Sequence, residues 1–366
     1  MSATTFPNVS RGPACKPGPR TNHNLKLTIH IRRGHMSSQS LRIGGGRYEH
    51  VEPLFDGRVT IDGVDAVFDS SPLVSDVFFK MAKGEYDVAE FGLTYFLRAF
   101  DTEESPFLAL PIFPNRNFRH SAIFINTDSG IEKPEDLAGR TIGEFALYGH
   151  DPGVWVKGIL SDEYGVSPES CRWVIGGTDH PIPAFTWIPQ PVPEGLEVRH
   201  APDGVTLASM LETGEIEALI SNDVPQAVLN GSGKIARLFP DYESVERDYY
   251  SRSAIFPMMH VIAIRRELAD QSGLPAALYR AYSEAKELVQ RAYTDGAVKQ
   301  HFGVITPWFS ELFAENRGLL GEDWWPYGLT RNRIAVDTFL RYHYEQGLSQ
   351  RPLTSEDIFV PELLDS

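Results

Sequence analysis

The chain contains two long apolar stretches of strand character, Arg119-His120-Ser121-Ala122-Ile123-Phe124-Ile125-Asn126 and Met258-Met259-His260-Val261-Ile262-Ala263-Ile264-Arg265. Both are rich in the β-branched and aromatic residues that are enriched in strands. We therefore predict a strand for each stretch. We also predict that the first leads out of one α/β unit and that the second leads back into it.

The rest of the chain alternates short apolar strands with helical patterns. Strands are predicted at 41–44, 64–68, 87–90, 107–112, 140–144, 171–175 and 217–221, and helices at 74–83, 93–100, 132–139, 152–164, 205–212, 275–294 and 331–346. This alternation predicts βαβ units with a largely parallel sheet, so the expected fold class is α/β. The prolines between 181 and 193 predict a surface loop.

Length and charge limit the classes of function. The chain has 366 residues, of which 42% are hydrophobic and 23% charged, and its net charge is −15. The length predicts two domains or lobes. The acidic balance argues against nucleic-acid and anionic-membrane partners, because these require a basic surface. An acidic protein can still carry a locally positive pocket, so an anionic substrate remains open.

The cysteines and the N-terminus indicate the compartment. Cys15 and Cys171 share no metal-binding or redox spacing, so we expect no disulfide and a reducing environment. Residues 1–24 lack the apolar stretch of a secretory signal, which predicts a cytoplasmic protein. A lipoprotein site at Cys15 is the weaker alternative. We expect residues 1–40 to be a disordered tail or an upstream extension, with the folded body beginning near Leu41.

Six blocks of sequence are distinctive. They are Tyr86-Asp87-Val88-Ala89-Glu90 with Leu93-Thr94, Leu110-Pro111-Ile112-Phe113-Pro114-Asn115-Arg116-Asn117-Phe118-Arg119-His120-Ser121, Pro134-Glu135-Asp136-Leu137-Ala138-Gly139, Val154-Trp155-Val156-Lys157-Gly158, Ile255-Phe256-Pro257-Met258-Met259-His260, and Trp325-Pro326-Tyr327-Gly328-Leu329 with Asn332-Arg333. Together they resemble the 4,5-dihydroxyphthalate decarboxylase family, within the periplasmic-binding-protein-like superfamily. The similarity extends over most of 41–362.

The resemblance implies a two-lobed type II periplasmic-binding-protein-like fold. Lobe one would combine 41–122 with 258–366, and lobe two would be 123–257, with hinge strands between them and the ligand in the cleft. It also implies a cofactor-independent decarboxylase of a hydroxylated aromatic carboxylate. The segment Tyr148-Gly149-His150-Asp151-Pro152-Gly153 departs from the family's small, hydroxyl- and alanine-rich pattern, so the substrate stays open.

Two other functions stay open beside the decarboxylase. One is a non-catalytic solute-binding protein for an aromatic carboxylate or a related small molecule. The other is a different lyase, as in the chorismate dehydratase branch of the superfamily. The fold alone cannot separate these functions, because one architecture hosts several.

The implied reaction protonates the ring carbon that bears the carboxylate, and CO₂ then leaves. It requires a general acid, a partner for the phenolic oxygen and a cation for a second carboxylate. Arg116 and Arg119 are candidate substrate-binding cations, and His120 is the first choice as general acid. In a strand, Arg119 and His120 would point to opposite faces, so only one of them would enter the cleft beside Arg116. The alternative is a solvated arginine pair beside a core histidine.

Further candidates lie beside predicted helices and strands. His150 is a candidate acid or ligand, and Asp151 a candidate substrate-binding residue or only the N-cap of the following helix. His260 is a candidate catalytic residue, although a lone histidine in an apolar run is more often part of the core. The last group consists of residues in loops or at helix starts that are expected at the cleft, namely Arg47, Tyr48, Glu90 and Thr94. For Glu90 and Thr94 the alternative role is helix capping.

The remaining motifs are weak. Trp324, Trp325 and Tyr327 are candidate walls of an aromatic pocket, but such clusters more often serve packing. The sequence has no HExxH, P-loop, dinucleotide or GxSxG motif, so we predict no metal and no cofactor. The expected partner is a small aromatic carboxylate, and a homo-oligomer is left open.

Overall fold

The computed structural model describes residues 39–100, 105–298 and 306–366. The predictions for Cys15 and for residues 1–38 lie outside this range. In the described residues the strands are β1 Gln39–Gly44, β2 Val64–Asp69, β3 Val88–Gly92, β4 Phe107–Leu110, β5 Ile123–Asn126, β6 Thr141–Phe145, β7 Arg172–Gly176, β8 Val198–His200, β9 Ala218–Ile220, β10 Ile235–Arg237 and β11 His260–Arg265. The helices are α1 Glu52–Phe55, α2 Val74–Ala82, α3 Leu93–Phe100, α4 Asp151–Tyr164, α5 Leu207–Thr213, α6 Gln226–Leu229, α7 Tyr242–Ser253, α8 Arg266–Ala269, α9 Leu274–Val298, α10 Phe309–Leu320, α11 Arg333–Glu345 and α12 Ser355–Ile358.

The first sheet has the strand order β2-β1-β3-β11-β4. β1 pairs in parallel with β2 and β3, whereas β11 runs antiparallel to β3 and β4. In this register His260 lies opposite Gly92, and Ile262 lies opposite Glu90. The carboxyl end of β3 therefore meets the beginning of β11, which brings Glu90 and His260 together.

The second sheet has the order β10-β5-β9-β6-β7-β8. Its strands β6 to β9 are parallel, and β5 is antiparallel to β9 and β10. The two connections between the sheets run side by side, since Arg116 bridges to Met258 and the N–H of Met259 donates to Asn115 O at 2.8 Å. The α/β class is confirmed. The division into lobes at 122–123 and 257–258 stays a prediction.

Two of the predicted elements are wrong in part. The strand predicted over 119–126 begins only at Ile123, and His120–Ala122 form a 3₁₀ turn. Tertiary contacts hold that turn, because the Glu246 carboxylate accepts the N–H of Ser121 at 2.9 Å. The helix predicted over 132–139 is only a 3₁₀ turn at Pro134–Leu137. Asp136 accepts the N–H groups of Glu132 and Lys133 at 3.0 and 3.1 Å, which satisfies them without a helix.

Helix α4 is buried from Asp151 to Leu160. Its Trp155 indole donates to Met258 O at 2.8 Å, and its ring packs against Phe339 of α11. Gly158 lets α11 approach, because a Cβ at that position would lie 2.1 Å from the Tyr342 ring. The close contact between α4 and α11 thus depends on the absence of a side chain at 158.

We expect Gly158→Ala to lower the free energy of unfolding by about 1–3 kcal/mol, the usual cost of overpacking a core. Gly318 of α10 is the matched control, because nothing lies within 4 Å of the place that a Cβ would take there. Gly318→Ala should be neutral or stabilising, since alanine favours helix more than glycine does. Urea denaturation of both variants measures the difference, and equal stabilities would contradict the packing described for α4 and α11.

Candidate active site

Glu90, in the middle of β3, is a buried carboxylate with three donors. Its Oε1 accepts the Tyr48 hydroxyl at 2.7 Å and lies 2.5 Å from His260 Nδ1. Its Oε2 accepts the N–H of Gly46 at 2.7 Å. A buried carboxylate requires such partners, and an ionised one can only accept. We therefore assign a proton to His260 Nδ1, so the ring is held by Glu90 in one tautomer.

The second ring nitrogen of His260, Nε2, is available to a substrate. Nε2 has no hydrogen-bond partner among the described residues, and the side chain is 10% exposed. The Phe78 ring stands edge-on to the imidazole, with centroids 5.0 Å apart. A carboxylate that orients a histidine, with the far nitrogen free, is the arrangement of general acid–base catalysts. Glu90 and His260 therefore form a candidate catalytic dyad.

Asp151 and Thr94 continue this cluster. The Thr94 N–H donates to Asp151 Oδ1 at 2.6 Å, and the Thr94 hydroxyl donates to Gly149 O at 2.8 Å. Burial raises the pKa of the Asp151 carboxyl to about 6, although His260 and Arg119 both oppose the shift. The expectation that Asp151 caps its own helix is wrong, because His150 is the N-cap of α4 and Asp151 is its first residue. Its carboxylate instead binds the first turn of α3.

Arg119 is a buried cation without a carboxylate partner among the described residues. It is 5% exposed, and its Nε donates only to Met259 Sδ, at 3.2 Å. Burial lowers the pKa of the guanidinium to about 10, which leaves it charged at neutral pH. Asp151 interacts with it electrostatically but forms no ion pair with it. Buried charges are normally paired, so this position suits an anion.

His150 belongs to a second buried carboxylate group. Its Nδ1 lies 3.1 Å from Glu144 Oε1, and the Lys157 ammonium lies 2.6 Å from both Glu144 oxygens. His150 Nε2 is buried and has no partner in the described part of the chain. Burial lowers the pKa of the imidazole, so His150 is neutral at pH 7. We call the six residues Tyr48, Glu90, Thr94, Arg119, Asp151 and His260 the central cluster. His150 directly precedes Asp151 in the chain and interacts electrostatically with Arg119.

The structure places Arg116 and Arg47 outside the central cluster. Arg116 donates from Nη1 to Phe256 O at 2.9 Å and from Nη2 to Pro326 O at 2.8 Å. It also binds Asn332, so its donors tie three segments together rather than facing a ligand. Arg47 is half exposed and pairs with Glu52.

His120 also lies apart from the central cluster. Its ring stands edge-on to Phe239 and Tyr249, with centroid separations of 5.3 Å in both cases. Both ring nitrogens are buried and have no hydrogen-bond partner in the described ranges, and burial lowers the pKa of the imidazole to about 4. At neutral pH this imidazole is therefore uncharged and cannot serve as an imidazolium acid.

Three contributors to the site were missed in the sequence. Asn115 donates to the Tyr48 hydroxyl at 3.3 Å, and Gly92 leaves room for Asp151, whose Oδ2 would lie 2.7 Å from a Cβ there. The third is the Glu144–Lys157 pair beside His150. A signal for this pair exists, because each charge stands alone in an apolar strand or helix, and such charges are almost never buried unpaired.

The aromatic residues near the C-terminus line a separate cavity. Trp324 and Trp325 border an apolar space of about 290 Å³ together with Phe118, Phe256 and Phe313. Tyr327 is buried elsewhere, and its hydroxyl has no partner among the described residues. In the described residues, no group of three His, Cys, Asp or Glu side chains is arranged to hold a metal ion. None of the described helices has the length and apolar content needed to cross a bilayer.

Asp151→Asn should change the pH dependence of stability. The folded-state pKa of about 6 exceeds the ordinary value of 3.8, so the fold favours the protonated form. The stability due to this group is present below the ordinary pKa and is lost as the pH rises through the folded value. Asparagine still accepts the Thr94 N–H but never ionises. Relative to wild type, the variant should gain up to about 3 kcal/mol between pH 4 and pH 8 in urea denaturation. A difference that does not vary with pH would contradict the raised pKa.

Comparison with solved structures identifies the architecture. The periplasmic aliphatic sulphonate binding protein SsuA from Escherichia coli superposes with a TM-score of 0.51 at 12% sequence identity, covering 90% of this chain and 100% of that one. This likeness confirms the expected type II periplasmic-binding-protein-like fold. At such low identity it concerns the fold alone.

Comparison with curated sequences identifies the family. No family model matches the chain. A 4,5-dihydroxyphthalate decarboxylase of Comamonas testosteroni is 35% identical over 335 residues, which cover 90% of this chain and 99% of that protein. A protein of the same name from Pseudomonas putida is 34% identical over 218 residues, 59% of this chain and 83% of that protein. The resemblance in the sequence blocks is thus confirmed, and the chain belongs to the 4,5-dihydroxyphthalate decarboxylase family.

Proposed function

We propose that the protein removes one carboxylate, as CO₂, from 4,5-dihydroxyphthalate, with the Glu90–His260 dyad supplying the proton that replaces it. The names of the two relatives support the reaction and the substrate. The observation that carries the assignment of the acid is the contact of 2.5 Å between His260 Nδ1 and Glu90, which leaves Nε2 free.

The chemistry explains why an acid is needed. Direct loss of CO₂ would leave an aryl carbanion. In 4,5-dihydroxyphthalate each carboxylate stands para to a hydroxyl, so an ionised para oxygen pushes electron density to the carboxylate-bearing carbon. That carbon accepts a proton and the ring becomes a dienone. The carbon–carboxylate bond then breaks, its electron pair restores the aromatic ring, and CO₂ leaves.

We assign to His260 the role of the acid that donates this proton to the ring carbon. In its imidazolium form the ring donates from Nε2 while Nδ1 stays on the Glu90 carboxylate. The Tyr48 hydroxyl and the Gly46 N–H fix the carboxylate, so the imidazole keeps its direction during proton transfer. Such preorganisation is what general acid catalysis requires. Solvent restores the proton after each turnover.

We assign to His150 the role of the base that takes the proton from the para hydroxyl. Its Nδ1 contacts Glu144, and its Nε2 has no partner within the described residues. Because burial lowers the pKa of this imidazole, the ring is neutral and can accept the phenolic proton. His150 returns that proton to the oxygen after CO₂ has left. The two histidines thus take the two roles, acid at carbon and base at oxygen.

The test mixes purified protein with 4,5-dihydroxyphthalate carrying ¹³C in its carboxylates and follows ultraviolet absorbance and released ¹³CO₂. We expect one carboxylate lost per molecule and a dihydroxybenzoate product. Phthalate, which lacks the hydroxyls, is the matched control and should bind without reacting. Saturable binding of the dihydroxy compound with no CO₂ would favour the alternative, a solute-binding protein. The cytoplasmic location and the oligomeric state stay predictions.

A further inference from the structure

The buried arginines of the central region differ in what their guanidinium groups bind. Arg98 donates to Tyr148 O at 2.6 Å and to Gly149 O at 3.2 Å, and Arg116 donates to backbone carbonyls and Asn332. Arg119 has no oxygen acceptor within the described residues, and its one hydrogen bond is to a thioether. A thioether is a weak acceptor, so most of the donor capacity of Arg119 is unused.

The N-terminus of α4 is linked to Arg119 through α3 and Met259. Asp151 accepts the Thr94 N–H, the N–H of the preceding Leu93 donates to Met259 O at 2.8 Å, and Met259 Sδ accepts from Arg119. Helix α4 has 14 residues and begins without a side-chain cap. Pro152 has no N–H and Val154 donates to His150 O, so the N–H groups of Asp151 and Gly153 are the ones without an acceptor in the described part of the chain. The N-cap residue of α4, His150, is 4% exposed and has an Nε2 without a partner in that part of the chain. Arg119 interacts electrostatically with both His150 and Asp151. The helix start and the poorly paired cation are therefore within electrostatic range of each other, and both favour an anion.

Two carboxylates lie at this helix start, Glu144 and Asp151, and Glu144 is already paired with the Lys157 ammonium. Asp151 Oδ1 is held by the Thr94 N–H at 2.6 Å, on the side of α3, and Asp151 makes no ion pair with Arg119. The other acidic groups that interact electrostatically with Arg119 are Glu246 and Asp223, and neither forms an ion pair with it. The N–H donors of the Arg119 guanidinium are therefore available to an anionic ligand.

We propose that Arg119 and the first turn of α4 bind the carboxylate that the substrate keeps, so that the enzyme requires two adjacent carboxylates on the ring. This inference rests on the proposed decarboxylation. The departing carboxylate becomes neutral CO₂, so a cation on it would stabilise the ground state more than the transition state and slow the reaction. A cation on the retained carboxylate stabilises both states equally, and it orients the ring toward His260.

The proposal predicts a specific kinetic pattern. Arg119→Met removes binding that is uniform between ground and transition states, so KM should rise while kcat changes little. The loss of a charged hydrogen bond predicts a rise in KM of about 10–100-fold. Arg119→Lys keeps the positive charge but loses the two parallel N–H donors of the guanidinium, so its KM should lie between those of wild type and Arg119→Met. If Arg119 held the departing carboxylate instead, kcat would rise on its removal.

Equilibrium binding tests the subsite without turnover. By titration calorimetry, phthalate and 3,4-dihydroxybenzoate should bind Arg119→Met about 10–100-fold more weakly than wild type, whereas catechol, which has no carboxylate, should bind both equally. His120→Asn, at the neighbouring position, is the control and should leave all three affinities unchanged. Unchanged phthalate affinity in folded Arg119→Met and Arg119→Lys would overturn the subsite. Absence of CO₂ release by the wild type would instead refute the proposed reaction, and the phthalate data would still decide on the subsite.

Discussion

His260→Asn is expected to lower kcat for 4,5-dihydroxyphthalate by about 10²–10⁴-fold, the usual effect of losing one general acid. Asparagine can still meet Glu90 but has no proton to give to the ring carbon. The affinity for phthalate should stay near that of the wild type, because the proposed carboxylate contacts lie on Arg119. Steady-state ultraviolet kinetics and calorimetry measure the two effects separately.

His120→Asn is the matched control for this loss. His120 was the first choice as acid from the sequence, but its ring is enclosed by Phe239 and Tyr249 and the pKa of its imidazole is lowered to about 4. We therefore expect kcat within a few-fold of wild type, since the substitution removes no group from the central cluster. A large loss in His120→Asn beside near-full activity in His260→Asn would return the role of acid to His120.

Lys157→Met is expected to lower the free energy of unfolding by about 3–5 kcal/mol, which is the cost of leaving one member of a buried ion pair alone. Lys157 and Glu144 are both fully enclosed, and the ammonium lies 2.6 Å from each carboxylate oxygen. Burial lowers the pKa of Lys157 to about 8, although Glu144 opposes the shift. Without the ammonium, Glu144 would keep only the Gly149 N–H and His150.

The double variant Glu144→Gln with Lys157→Met separates lost charge pairing from lost packing. Glutamine is neutral and still accepts the Gly149 N–H, so the double variant should recover a large part of the stability lost in Lys157→Met. Urea denaturation of the two variants and the wild type completes the comparison. A double variant no more stable than Lys157→Met would show that the ammonium acts through its packing on the Tyr148 and Trp173 rings instead.

Much of the fold follows from periodicity. The helix predicted at 93–100 coincides with α3, and the strand predicted at 64–68 lies within β2, because local pattern and burial agree there. The strand predicted over 119–126 fails in its first half for a tertiary reason. Glu246 and Arg237 bind the backbone of Ser121 from distant parts of the chain, and no local pattern records them.

The site was only partly accessible to sequence reasoning. Tyr48, Glu90, Thr94, Asp151 and His260 were all candidates, and the register of β3 and β11 brings their parts of the chain together. Arg116 stood in the most distinctive block, yet its donors bind carbonyls of Phe256 and Pro326, more than a hundred residues away in sequence. A sequence motif indicates which residues have a particular role, but it does not indicate which residues each of them contacts in the fold.

The most direct test of the account is an experimental structure of the wild-type protein with phthalate, which has both carboxylates but lacks the hydroxyls needed for reaction. We expect one carboxylate on Arg119 at the start of α4 and the carbon bearing the other carboxylate about 3–3.5 Å from His260 Nε2. A phthalate bound elsewhere, for example in the cavity lined by Trp324 and Trp325, or bound with His260 out of reach of the ring, would contradict it.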